Sequence, residues 1–255
     1  MNLLINKFKS KKHMIGTWNT LASPLVTEVL ASSGLNFQII DLEHGPFAID
    51  QIHLHISAIN KYEECLGIVR LPKIDDWMIL QALDQGAHGI IVPHVNNKAD
   101  AENLVSFSKY SPMGQRGFSP FTKAGNFNDK EINKHIQNSN DLLLGVIIES
   151  VEGLDNLNEI LEVNEIDLVY FGAYDISQSL GFPGDVKNPE VLEILEDGIS
   201  KVKQVKKICG GFVAKDEEDV KWLVDMGIDF VTYQTDSLAL YEAMNSISNF
   251  FEKFR

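Results

Sequence analysis

Cysteine is almost missing from this chain: Cys65 and Cys209 are the two among 255 residues. They form no CxxC and no paired framework, which excludes a disulfide scaffold and fits reduced thiols in the cytoplasm. Basic residues are also scarce, 22 Lys+Arg against 36 Asp+Glu, for a formal net charge of −14. A nucleic-acid binder needs a cationic face for phosphates, so no nucleic acid is expected as a partner. No apolar run approaches the roughly 20 residues of a membrane span; the run at 142–148 has seven. The N-terminal segment has lysines but no apolar stretch behind them, unlike a secretory signal. The expectation is a cytoplasmic protein without a membrane partner. Also absent are a P-loop, Gly-x-Ser-x-Gly, His-Glu-x-x-His and a Gly-x-Gly-x-x-Gly after the first strand. Their absence removes the simplest nucleotide, serine-hydrolase and zinc-protease readings.

What is present is rhythm. Short β-rich runs at 14–18, 37–42, 67–71, 89–93, 143–149, 167–172, 209–214 and 230–234 alternate with amphipathic stretches. Several runs are apolar on both alternations, as strands of a covered parallel sheet are. Helical spacing is read at 24–31, 49–60, from Asp75 or Asp76 to Asp84, and at 151–161, 189–206, 216–226 and 236–251. Gly34, Gly86 and Gly227 each stand where a helix stops before a strand, a place for left-handed backbone. Eight βα units without a change in composition predict one (βα)₈ barrel domain over residues 1–255; an open doubly wound sheet is the alternative. The stretch 110–141 is too long for an ordinary connection and reads as a functional lid.

In such a barrel the chemistry lies at the C-terminal ends of the strands. The second run ends in Asp41-Leu-Glu-His44, the third at Arg70, the fifth at Glu149, and the sixth leads into Asp175. Glu149 and Asp175 follow consecutive strands, and two carboxylates suit a hard divalent cation. The plainer alternative makes each a helix cap. His44 is placed to move protons, with Asp41 three residues earlier to orient it. Arg70 suits an anionic substrate or oxyanion, or else pairs with Asp75 or Asp76. His53 and His55 lie on nearly opposite helix faces; His88 and His94 flank a strand near the mouth; His13 and His135 read as surface residues. Gly210-Gly211 suits a strand bend better than a phosphate cradle. Lys73 and Lys215 lie past their strands, which weakens a Schiff-base aldolase.

The ordered motifs GTW at 16–18, DLEHGP at 41–46, VRLP at 69–72, LDQGA at 83–87, IVP at 91–93, PMGQRG at 112–117, Ile148-Glu149 and DISQSLG at 175–181 make the chain resemble the HpcH/HpaI family. These are metal-dependent class II aldolases of pyruvate and 2-keto acids, related to citrate lyase β-type enzymes. The resemblance runs from Lys12 to Phe251. It implies metal ligands at Glu149 and Asp175, a base at His44 and a transition-state arginine at Arg70. It also implies an acid beside the histidine at Asp41, and at Asp84 an acid that makes the base more basic. Implied too are Mg²⁺, Mn²⁺ or Co²⁺ with no organic cofactor, and a hexamer, a trimer of dimers, with C-terminal helices exchanged between barrels. The chain departs from the family at Ile147, where a substrate-touching Gln is usual, and at Gly172-Ala173, followed by Tyr174, where a Gly-Pro is usual. These positions are expected to shape substrate binding. The expected reaction makes or cleaves a 4-hydroxy-2-oxo acid from pyruvate enolate and an aldehyde. The alternatives are a CoA-thioester lyase of citramalyl or malyl type and a non-catalytic keto-acid-binding barrel.

Overall fold

The computed structural model describes residues 6, 8–211 and 213–255. Eight strands, β1 (Met14–Asn19), β2 (Phe37–Asp41), β3 (Leu66–Arg70), β4 (Gly89–Val92), β5 (Leu143–Ile148), β6 (Leu168–Phe171), β7 (Ile208–Gly211) and β8 (Phe230–Thr235), pair in parallel and in sequence order into a closed barrel. β1 closes on β8 with Met14 opposite Phe230, and the register shifts between Gly16 and Trp18. The strands sit at the expected places. The seventh is shorter than read: Ala214 makes an isolated bridge to Tyr233, and Phe212 lies outside the described residues.

Between them run α1 (Pro24–Ser32), α2 (Ile52–Ile59), α3 (Asp76–Asp84), α4 (Lys98–Ser108), α5 (Ile132–Asn140), α6 (Val151–Asp155), α7 (Leu157–Leu161), α8 (Ala173–Ser179), α9 (Pro189–Gln204), α10 (Glu217–Met226) and α11 (Asp236–Phe251). Their starts follow local chemistry. Ser23 caps α1 ahead of Pro24, Asp75 caps α3, and Asp216 caps α10, each side chain accepting a first-turn N–H. Gly34, Gly86 and Gly227 have φ of +93°, +90° and +99°. The stretch read as one helix at 151–161 is divided at Asn156, whose side chain donates to the carbonyl of Asn96.

The barrel is filled in layers. Near its N-terminal end the rings of Phe37 and Phe230 stack at 3.7 Å, with Phe8 edge-on to both. Gly16 makes room for them, since a Cβ there would stand 2.3 Å from the Phe37 ring. Closer to the mouth Trp18 of β1 meets Tyr170 of β6 across the interior, and the Tyr170 hydroxyl bonds Thr232. Gly210 and Gly211 serve this packing. A Cβ on Gly210 would lie 2.7 Å from the Tyr170 ring, and Gly211 adjoins Phe171. Both glycines are thus accounted for by packing against the aromatic side chains of the barrel.

The long stretch at 110–141 is not a lid. It joins the end of α4 to the start of β5, so it lies at the end of the barrel away from the mouth. There Ala124 N–H donates to Asp84 and the Lys123 ammonium reaches Ser57. At the opposite pole of the chain α11 leaves the barrel. Of its residues Asp236 alone is buried. Its carboxylate takes the N–H groups of Thr20 (2.7 Å), Leu21 (3.0 Å) and Ser237 (2.8 Å). Among the described residues no helix is long and apolar enough to cross a membrane.

Candidate active site

A cavity of about 310 Å³ opens at the C-terminal ends of the strands. Asp41, His44, Arg70, Ile147, Glu149, Ala173, Tyr174 and Asp175 all line it.

Asp41 ends β2 directly opposite Arg70, which ends β3. The register brings the two into a bidentate pair, Nε to Oδ1 at 2.8 Å and Nη2 to Oδ2 at 2.5 Å. Arg70 Nη1 lies 3.0 Å from Glu43, and its guanidinium stacks 4.4 Å over Trp18. The arginine thus has little freedom left, and it does not use Asp75, which caps α3 instead. The remaining capacity of Asp41 goes to the backbone N–H groups of Glu43 and His44. The expectation that Asp41 orients the imidazole is corrected: its carboxylate fixes the turn and the arginine, and the His44 ring stands exposed beside them. Gly45 lets this turn close, because a Cβ there would meet the Asp41 carbonyl at 2.4 Å.

Glu149 follows β5 and is 8% exposed. Its Oε1 accepts the backbone N–H of His94 at 3.0 Å and lies 2.7 Å from that ring's Nδ1. Burial raises the Glu149 pKa, as do the carboxylates of Asp175 and Glu43; His94 opposes the rise. Gly172 shapes the cradle, since a Cβ there would come 2.7 Å from Glu149 Cβ and 3.1 Å from Oε2. Neither acid is an N-cap. Ser150 caps α6, and Asp175 sits inside the first turn of α8 without a side-chain cap bond.

The donor set suits a hard divalent cation. Carboxylates accumulate at one mouth, and burial raises the pKa of one of them, Glu149. Among the described residues no three His, Cys, Asp or Glu form a complete cage. Two carboxylates leave coordination positions for substrate oxygens and water, as a catalytic hard-metal site requires.

Ile147 is buried, pairs in register with Tyr170 and faces the cavity; Ala173 is buried and Tyr174 exposed at its rim. Tyr170 forms the floor, and burial pushes its phenol up to about 12, so it stays protonated.

Asp84 is not in this cavity. It is the last residue of α3, a helix that begins at the mouth and runs to the far end, and it pairs with the buried Arg116 at 2.6 Å. Within one chain it therefore does not meet His44. His88 precedes β4 at that same far end, where its Nδ1 accepts the Gly67 N–H, so it does not line the mouth. His135 is buried against Tyr110 and Phe118, not on the surface. His94 does stand at the mouth. Trp18, Glu43, Tyr170 and His94 are site residues that sequence reading left without a role. Trp18 and Tyr170 were detectable as large polar-tipped residues near strand ends. Among the described residues no lysine lines the cavity. Lys73 is exposed beside Asp75, and Lys215 lines a neighbouring cavity.

Known proteins match this chain along most of its length. The chain is 33% identical over 248 residues to 2-keto-3-deoxy-L-rhamnonate aldolase of Salmonella gallinarum, covering 96% of this chain and 92% of that one. It is 32% identical over 229 residues to hydroxypyruvate/pyruvate aldolase of Roseovarius nubinhibens, covering 89% and 88%. The crystal structure of an HpcH/HpaI aldolase/citrate lyase family protein from Burkholderia cenocepacia superposes with a TM-score of 0.91 at 25% identity, over 99% of this chain and 100% of that one. The family profile described as HpcH/HpaI aldolase/citrate lyase matches residues 14–243, from the first residue of β1 into α11. With the family profile spanning the barrel and these relatives covering most of the chain, the chain belongs to the HpcH/HpaI aldolase/citrate lyase family.

Proposed function

We propose that this protein is a divalent-metal-dependent class II aldolase, a carbon–carbon lyase that joins pyruvate to an aldehyde or splits the resulting 4-hydroxy-2-oxo acid. One observation carries the reading: Glu149 and Asp175 share a cavity with a clamped Arg70 and with no lysine among the described lining residues. With no lysine among the described lining residues a Schiff base has no amine to form on, so the carbonyl needs another electron sink. Mg²⁺, Mn²⁺ or Co²⁺ held by Glu149 and Asp175 supplies Lewis-acid polarisation of a keto acid's oxygens when bound.

The chain's own groups do the rest. His44, exposed at the cavity edge, takes the proton from C3 of pyruvate during addition, directly or through one water. In cleavage it removes the proton of the 4-hydroxyl, and the C3–C4 bond breaks. Arg70, held from below by Asp41 and Trp18, donates to the oxygen that becomes negative. Trp18 and Tyr170 wall off water beneath the reacting carbons. Ile147, Ala173 and Tyr174 border the substrate and adjust its fit. Asp84, remote from His44 in its own chain, serves the base only in an assembled particle. The exposed apolar α11 supports such an assembly, a homo-oligomer of the hexameric, trimer-of-dimers kind, and the two buried free cysteines support a cytoplasmic location.

The test is exchange of the pyruvate methyl protons with D₂O. EDTA should abolish it and Mg²⁺, Mn²⁺ or Co²⁺ restore it. His44→Ala should keep its metal and lose 10²–10⁴-fold in exchange rate. Exchange that survives metal removal, or borohydride trapping of pyruvate on a lysine, refutes the reading.

A further inference from the structure

His94 immediately follows the turn out of β4 and is one of the few non-glycine residues in left-handed backbone, with φ of +58°. In that conformation its backbone N–H and its ring converge on one atom. The N–H donates to Glu149 Oε1 at 3.0 Å, and Nδ1 lies 2.7 Å from the same oxygen. On the other side of the ring Nε2 lies 3.7 Å from Glu43 Oε1. Glu149 Oε1 is therefore bonded by the backbone N–H and covered by the ring of one residue. Oε2 is left on the side of Gly172, where a Cβ would stand 3.1 Å from it. Three residues beyond Gly172 the chain reaches Asp175.

We propose that His94 is a positioning residue for the metal site: by bonding Glu149 Oε1 through its backbone N–H and covering it with its ring, it leaves Oε2 as the single free oxygen for a cation shared with Asp175. This rests on the reading of Glu149 and Asp175 as ligands. A glutamate has three side-chain torsions, and a ligand already fixed in one rotamer binds a cation with less ordering left to do. Hydrogen-bond partners of metal ligands typically contribute 10–100-fold to affinity. The usual histidine–carboxylate relation is inverted here, with the carboxylate as ligand and the imidazole behind it.

Two substitutions separate ring from backbone. His94→Gly accepts the left-handed backbone and keeps the N–H bond but loses the ring. His94→Asn also tolerates this backbone, and its side-chain amide can place a donor where Nδ1 stands. Mn²⁺ alone is the probe, with calorimetric titration and electron paramagnetic resonance of bound ion as readouts and thermal unfolding of the metal-free proteins as the fold control. His94→Gly should bind Mn²⁺ 10–100-fold more weakly while melting near the wild type, and His94→Asn should stay within about threefold of it. Binding by His94→Gly equal to or tighter than wild type overturns the proposal while the ligand pair stands. Equal weakness in both variants overturns the role of the side chain that covers Oε1. A wild-type protein that binds no Mn²⁺ at all sinks the ligand assignment, and this proposal with it.

Discussion

Ile147 shows how one side chain sets the character of the pocket. It is 2% exposed, lies against Gly172 and offers no hydrogen bond to a substrate beside Glu149. Ile147→Gln should add a partner for an anionic keto acid. A bond to a charged group contributes about 1.5–3 kcal/mol, so kcat/KM for pyruvate exchange should rise tenfold or more. If the new amide instead turns into the wall, stability falls and kcat/KM stays put, which places residue 147 away from the substrate. His88 makes a prediction of a different kind. Burial lowers its pKa from the ordinary 6.5 to about 4. The unfolded chain therefore binds the proton first, and stability is full above pH 6.5 and lost as the pH falls toward 4. The loss approaches about 3 kcal/mol. His88→Asn, which keeps an acceptor for the Gly67 N–H, should flatten the pH dependence of urea midpoints between 4 and 6.5. An unchanged slope would mean that other groups dominate acid unfolding. Legibility at this scale followed strand position. His44, Arg70, Glu149 and Asp175 could be found because strand ends face one mouth. The Asp41–Arg70 pair could not, because it depends on the register of β2 against β3, which no spacing along the chain records.

At the scale of elements, the end of β6 is the most demanding junction in the site. Gly172 must be bare so that Glu149 can pass, and the chain must then turn at once into α8. Gly172→Ala should displace the carboxylate. The expected outcome is a stable barrel with Mn²⁺ affinity reduced at least tenfold, read by titration with circular dichroism as control; unchanged affinity would show that the glutamate has room elsewhere. The eight strands were readable because they are short, β-branched and apolar on both faces. Helices α4, α5 and α8 were not. α5 is mostly polar, α8 has seven residues, and α4 buries only a narrow stripe containing Ala101, Leu104 and Val105. The stretch at 110–141 misled for a topological reason. Length suggests a lid, but a lid must follow a strand, and this segment follows a helix.

At the scale of the molecule, the unburied part of α11 asks for a partner. Leu240, Met244, Ile247 and Phe251 form one stripe at helical spacing, each more than half exposed. An apolar face of that size on a lone barrel would be a liability in water. Met244→Lys combined with Ile247→Glu should therefore convert the proposed homo-oligomer to smaller species in analytical ultracentrifugation, with the barrel's circular dichroism retained. A wild-type chain that sediments as a monomer at micromolar concentration would overturn the expectation of a homo-oligomer.

The Asp236 carboxylate would give the proposed assembly a mechanical origin. By holding the N–H groups of Thr20 and Leu21 it fixes the fulcrum of a 16-residue lever. Such a helix is about 24 Å long, so a tilt of about 10° at its root would move its tip by roughly 4 Å. A few tenths of an ångström at one carboxylate are thus magnified into a displacement large enough to misalign whole barrels. Drift at Asp236 would register first as an error of geometry between copies, well before it weakened the barrel that bears it.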